Sequence, residues 1–96
     1  MDENVEMDAV EDAMLDGNAL AGTLATVFGR DVTAVTGRCT NCGVVNMIGD
    51  MRAYVRSPGS VLRCPDCGGV ILRVVETDDA TYVDVRGATY LRFERR

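Results

Sequence analysis

Four cysteines carry most of the legible chemistry of this chain: Cys39 and Cys42 form one Cys-x2-Cys-Gly segment, and Cys64 and Cys67 form a second. Two residues between cysteines let a single tight turn offer both sulfurs to one ion, and two such turns supply the four thiolates of a tetrahedral site at about 2.3 Å. Gly43 and Gly68 follow the second cysteine of each segment, where a positive φ is usually required. Backbone N–H groups of these turns can point at the sulfurs and spread their charge. Pro65 stiffens the second turn, and Asn41 tolerates left-handed geometry in the first. The sequence has no histidine, which removes imidazole ligands, Ser-His and Cys-His nucleophile pairs and the usual near-neutral general base.

Other uses of the thiols fit less well. A Cys39–Cys42 redox disulfide normally opens a helix in a βαβ context, and no such context surrounds it. Long-range structural disulfides need an oxidising compartment. Inert buried thiols would not come as two near-identical loops, Arg38-Cys-Thr-Asn-Cys-Gly43 and Arg63-Cys-Pro-Asp-Cys-Gly68. The residues therefore point to one tetrathiolate metal site.

This pattern resembles the zinc-ribbon (rubredoxin-like) fold over residues 36–76, with 80–94 extending its sheet. More narrowly, Leu15-Asp16-Gly17-Asn18-Ala19-Leu20-Ala21-Gly22, then Phe28-Gly29-Arg30-Asp31-Val32-Thr33 and the two cysteine segments, resembles an uncharacterised family of small bacterial zinc-ribbon proteins. The resemblance implies four ligands (Cys39, Cys42, Cys64, Cys67) and no established activity. Zinc and iron both accept four thiolates. Cys-Pro-x-Cys-Gly at 64–68 resembles the second rubredoxin knuckle, but Val44-Val45 follow the first knuckle where rubredoxins carry an aromatic. The expectation is one Zn2+ per chain, with iron as the alternative.

The remaining candidates are weaker. Arg52, Tyr54 and Arg56 share one face of a strand and could contact an anion or stack a base. A solvated face is the simpler reading. Arg38 and Arg63 precede the two segments and could offset thiolate charge. Leu20, Leu24, Val27 and Phe28 are expected to pack on the β unit, because a chain with five aromatics and no Trp needs every apolar residue for its core. Asp78-Asp79 sits in a turn with no partner for acid–base work.

Fifteen acids against ten bases, all of them arginine, give a net charge of −5. Residues 1–29 hold seven acids and no base, leaving 30–96 at +2. Four thiolates on one divalent ion would make the whole chain formally −7 and residues 30–96 about neutral, so bulk attraction to nucleic acid or anionic membrane is not expected. The acidic start is unlike a signal peptide and no run is long enough to span a bilayer, so the expected compartment is the cytoplasm.

The elements that must position the cysteines follow from periodicity. Apolar residues recur at helical spacing over 5–28, interrupted by Asp16-Gly17-Asn18, which predicts two short helices with Asn18 capping the second and Gly29 ending it. Strands are predicted over 32–38, 44–48, 51–56, 61–63 and 70–76, then a final pair, 80–86 and 88–94, about Gly87. The expected fold is small α+β. An acidic helical segment (1–30) packs on a C4 zinc ribbon with an additional C-terminal strand pair (31–96). The expected role is a non-catalytic interaction or accessory module with a protein partner, and with neither a membrane nor a small-molecule substrate. The alternatives are an iron carrier serving an oxidoreductase and a nucleic-acid-binding ribbon.

Overall fold

The computed structural model describes residues 14–56 and 59–95. Among them lie eight strands, β1 (Met14–Asp16), β2 (Thr36–Cys39), β3 (Val45–Met47), β4 (Arg52–Arg56), β5 (Gly59–Arg63), β6 (Val70–Glu76), β7 (Thr81–Asp84) and β8 (Ala88–Arg92). They also include one α-helix, α1 (Ala21–Phe28), and two 3-10 turns at Gly17–Leu20 and Ile48–Asp50. The strands form two antiparallel sheets, one of five strands in the order β1-β4-β5-β6-β7 and one of three in the order β3-β2-β8.

This architecture corrects the expected helical segment packed on a zinc ribbon: the described chain is mostly β, in two sheets, with one short helix. Two misreadings produced the error. The first predicted helix lies outside the described residues up to position 13, but its end, Met14–Asp16, is a strand. It pairs with β4, Met14 opposite Tyr54 and Asp16 opposite Arg52, so hydrogen bonding to an open sheet edge overrides a helical apolar spacing. The second error concerns Gly87. β7 pairs with β6, and β8 pairs with β2, so the predicted C-terminal strands do not pair with each other. Gly87 instead lies where the chain crosses from one sheet to the other.

The 3-10 turn after β1 is capped by Asp16, whose Oδ1 accepts from the Asn18 N–H at 3.1 Å, not by Asn18 as expected. α1 ends as the sequence predicts, with Gly29 at φ +78° and its N–H donating to the Ala25 carbonyl at 2.7 Å. The predicted strand over 32–38 shortens to Thr36–Cys39. Its first half is a turn in which Asp31 Oδ1 accepts from the Thr33 N–H at 2.9 Å and Val35 N–H donates to Val32 O at 3.0 Å.

Leu20 and Leu24 from the helical stretch, Ile48, Met51, Ala53, Leu62, Ile71, Leu72 and Val74 are buried in one core, together with Cys39 and Cys64. Each fully buried Leu or Ile contributes about 1.5–3 kcal/mol. Phe28 packs on Phe93 with ring centroids 6.0 Å apart, which fastens the end of α1 to the residues after β8. No helix among the described residues is long and apolar enough to cross a membrane.

Gly22 lies within α1, and a Cβ there would meet nothing within 4 Å. Gly22→Ala is therefore expected to stabilise the chain by about 0.5–1 kcal/mol through helix propensity and unfolded-state entropy, read as a raised urea midpoint.

Candidate metal centre

Each cysteine pair sits in a turn between two antiparallel neighbours, and the two turns are built alike. In the first, which joins β2 to β3, Cys39 N–H donates to Val44 O at 2.9 Å and Gly43 N–H donates to Cys39 O at 2.8 Å. In the second, which joins β5 to β6, Cys64 N–H donates to Gly69 O at 2.8 Å and Gly68 N–H donates to Cys64 O at 2.9 Å. Gly43 and Gly68 take φ of +83° and +81°, the backbone demand read from the sequence. The entry strand of each turn also carries a register shift, between Arg38 and Cys39 and between Leu62 and Arg63. The turns belong to different sheets, so the four sulfurs meet where the two sheets come together.

All four Sγ atoms lie within 4.8 Å of one another. Across the two turns, Cys39 Sγ is 3.6 Å from Cys67 Sγ, and Cys42 Sγ is 3.7 Å from Cys64 Sγ. Sulfurs held at about 2.3 Å around one tetrahedral ion stand ~3.8 Å apart, and a disulfide would bring a pair to about 2.0 Å. All four cysteines are free. The donor set and its spacing fit a metal ion, and the chemistry of four sulfurs limits that ion to thiophilic types such as zinc or iron.

Each turn contributes one buried and one exposed cysteine: Cys39 and Cys64 are buried, whereas Cys42 and Cys67 are exposed. Backbone amides reach the sulfurs, Asp66 N–H donating to Cys64 Sγ at 3.4 Å and Gly69 N–H to Cys67 Sγ at 3.3 Å. The Asn41 side-chain amide also donates to Cys67 Sγ, at 3.3 Å from the other turn. Asn41 is not left-handed, as the sequence reading allowed; every positive φ among the described residues belongs to glycine. Its role is a hydrogen bond across the site, for which the spacing held no signal. Asn46 on β3 makes a second tie, donating to Asp66 Oδ2 at 3.2 Å.

These contacts separate the bare thiols. The Asn41 amide and then the Gly69 N–H bring the Cys67 thiol down to about 6. The Val44 N–H acts to lower Cys42, but burial and the neighbouring thiols of Cys64, Cys67 and Cys39 outweigh it and push Cys42 up to about 12. Four sulfurs gathered this closely are a donor set that a divalent cation stabilises in the thiolate form.

Arg63 stands beside its turn without touching sulfur: its Nη1 donates to Gly68 O at 2.7 Å, and its guanidinium lies 5.8 Å from the centroid of the Tyr54 ring. Arg38 borders the first turn, its Nη2 3.4 Å from where a Gly43 Cβ would stand. Arg52, Tyr54 and Arg56 lie on β4 in the five-stranded sheet, on the face turned away from the buried Ala53.

Compared with known proteins, residues 10–96 match the family model described as a family of unknown function, DUF6510. No curated protein and no solved structure matches the chain.

Proposed function

We propose, from the premise that the chain belongs to the DUF6510 family of unknown function, that it is a non-catalytic interaction module whose two sheets are fastened by one structural Zn(Cys)4 centre. The observation that carries this reading is the spacing of the four sulfurs at 3.6 and 3.7 Å across the two turns. Zinc with four thiolates has no open position for water or substrate and contributes folding free energy directly. A cleft of about 370 Å³ beside Gly87 offers no free proton carrier, because the Asp84 carboxylate in its wall is gripped by Arg86 at 2.6 Å. The Arg86 guanidinium and the Arg86 N–H hold the Asp84 carboxyl far below the usual carboxylate range.

A second reading, an iron centre that passes single electrons to an oxidoreductase, draws support from the exposure of Cys42 and Cys67. Metal analysis with an absorption spectrum separates the two. The zinc reading expects colourless protein with one zinc per chain, and a visible spectrum that bleaches on reduction would replace it with the iron reading. Protein purified without either metal and folded normally in strong chelator would sink both.

A further inference from the structure

We propose that the outer face of the five-stranded sheet binds single-stranded nucleic acid. This rests on the interaction-module reading and names the surface and partner class. Viewed alone, strand 52–56 offers an Arg-Tyr-Arg stripe of the kind that a solvated face also shows. The strand register turns the stripe into a platform. Arg52 pairs with Arg63, Tyr54 with Val61 and Val61 with Arg73, while Val75 pairs with Tyr82. Ala53, Leu62, Leu72 and Val74 alternate inward to the core, so Arg52, Tyr54, Arg56, Arg63, Arg73 and Tyr82 share the outward side. The approach of the Arg63 guanidinium to the Tyr54 ring at 5.8 Å places two of these side chains together on that side.

Two acids stand in register with this face, Asp16 opposite Arg52 and Asp84 opposite Arg73, against four arginines. Asp16 at the β1 edge accepts from the Asn18 N–H at 3.1 Å, and Asp84 beside Arg73 is held by Arg86 at 2.6 Å. Four guanidiniums on one sheet face form a local anion-binding field, and at physiological salt a field acts over about 8 Å, not over the whole molecule.

The aromatic rings favour nucleic acid over an acidic peptide. Tyr82 is 62% exposed with its ring in solvent, an arrangement that a base can stack on and that a carboxylate does not use. Three inter-strand spacings separate β4 from β7, about 14 Å across, which is room for a few unstacked nucleotides with phosphates on the arginines. A five-stranded sheet face is broader than the major groove, which admits a two-stranded ribbon, so single strands are the fitting form.

The test uses the full metal-loaded chain and fluorescence anisotropy of a labelled oligothymidylate or oligouridylate of about a dozen nucleotides. Binding is expected at low salt, with a log–log salt slope of roughly −2 to −3 for three or four phosphate contacts. Arg52→Gln combined with Arg73→Gln should weaken binding by roughly ten-fold or more and flatten the slope by about 1.4. Tyr82→Ala should weaken it by about 5- to 100-fold and leave the slope unchanged. Arg92→Gln, on the three-stranded sheet, should change nothing. Metal content and circular dichroism of each variant confirm folding. A folded, metal-loaded chain that holds neither oligonucleotide overturns the proposal while leaving the metal reading intact. Affinity that ignores Tyr82→Ala while the arginine substitutions still weaken it would overturn it in favour of an acidic protein partner.

Discussion

Cys64→Ser is expected to release the metal and unfold the chain, and this is the largest single-residue effect the structure predicts. Cys64 is 1% exposed, faces Cys42 across the site at 3.7 Å and accepts the Asp66 N–H. A serine hydroxyl does not ionise in this range and cannot replace a thiolate ligand. Structural zinc sites contribute about 10–16 kcal/mol of apparent binding free energy near neutral pH, against a total stability of about 5–15 kcal/mol for a typical domain. A structural zinc in this site would thus weigh as much as several of the buried leucines and isoleucines together. Metal content and a thermal melt followed by circular dichroism check the result. Cys39→Ser, at the matching buried position of the other turn, should behave alike. A Cys64→Ser chain that melts at the wild-type temperature would show that the cluster does not hold the fold.

Gly87→Ala is expected to destabilise the chain by about 2–4 kcal/mol, far more than an exposed loop alanine usually does. A Cβ at Gly87 would fall on the carbonyl oxygen of Val70, with the Val70 carbonyl carbon at 2.6 Å and Ile71 Cα at 2.7 Å. All three are backbone atoms of β6, so no side chain can rotate to make room. The Gly87 carbonyl also accepts the Thr40 N–H at 2.9 Å, so a displacement here would pull on the first cysteine turn. At about 4–8 °C per kcal/mol for a chain of this size, the melting temperature should fall by roughly 10–30 °C. A fall below about 3 °C, with metal content unchanged, would mean that the crossover yields more easily than its contacts indicate. The contrast with the stabilising Gly22→Ala makes the pair a direct reading of where the backbone has space.

What was legible in the sequence is what depends on neighbours in the chain. Two residues between cysteines, followed by glycine, describe a local turn, and Gly43 and Gly68 adopt the φ that reading requires. β6 is Val70–Glu76, as its apolar run predicts, and Gly29 ends α1 for a local reason. Partner choice between distant segments left no such mark. Met14–Asp16 reads as helix until the edge of β4 is available, and 80–86 and 88–94 read as a hairpin because nothing in either announces β6 or β2. The alignment of Arg63, Arg73 and Tyr82 beside the β4 stripe is also a product of register. Asn41 reads from the sequence as a residue of backbone tolerance but matters for its side chain, since its contact with Cys67 spans 26 positions.

The pairing of β2 with β8 sets the order in which the molecule can be completed. Thr36 finds its partner at Arg92, far along the chain, whereas the last of the four cysteines stands at position 67. In sequence order the ligand set is therefore complete before the second neighbour of the smaller sheet's central strand. Contacts this far apart in sequence are slow to form, and a strand edge left open in the meantime invites pairing with other chains. An ion captured at that stage would hold β2 and β3 near the nascent five-stranded sheet and shorten the search that β8 must make. If the four cysteines hold an ion, its supply becomes a matter of timing for a folding chain: a chain short of it would leave the β2 edge open for longer.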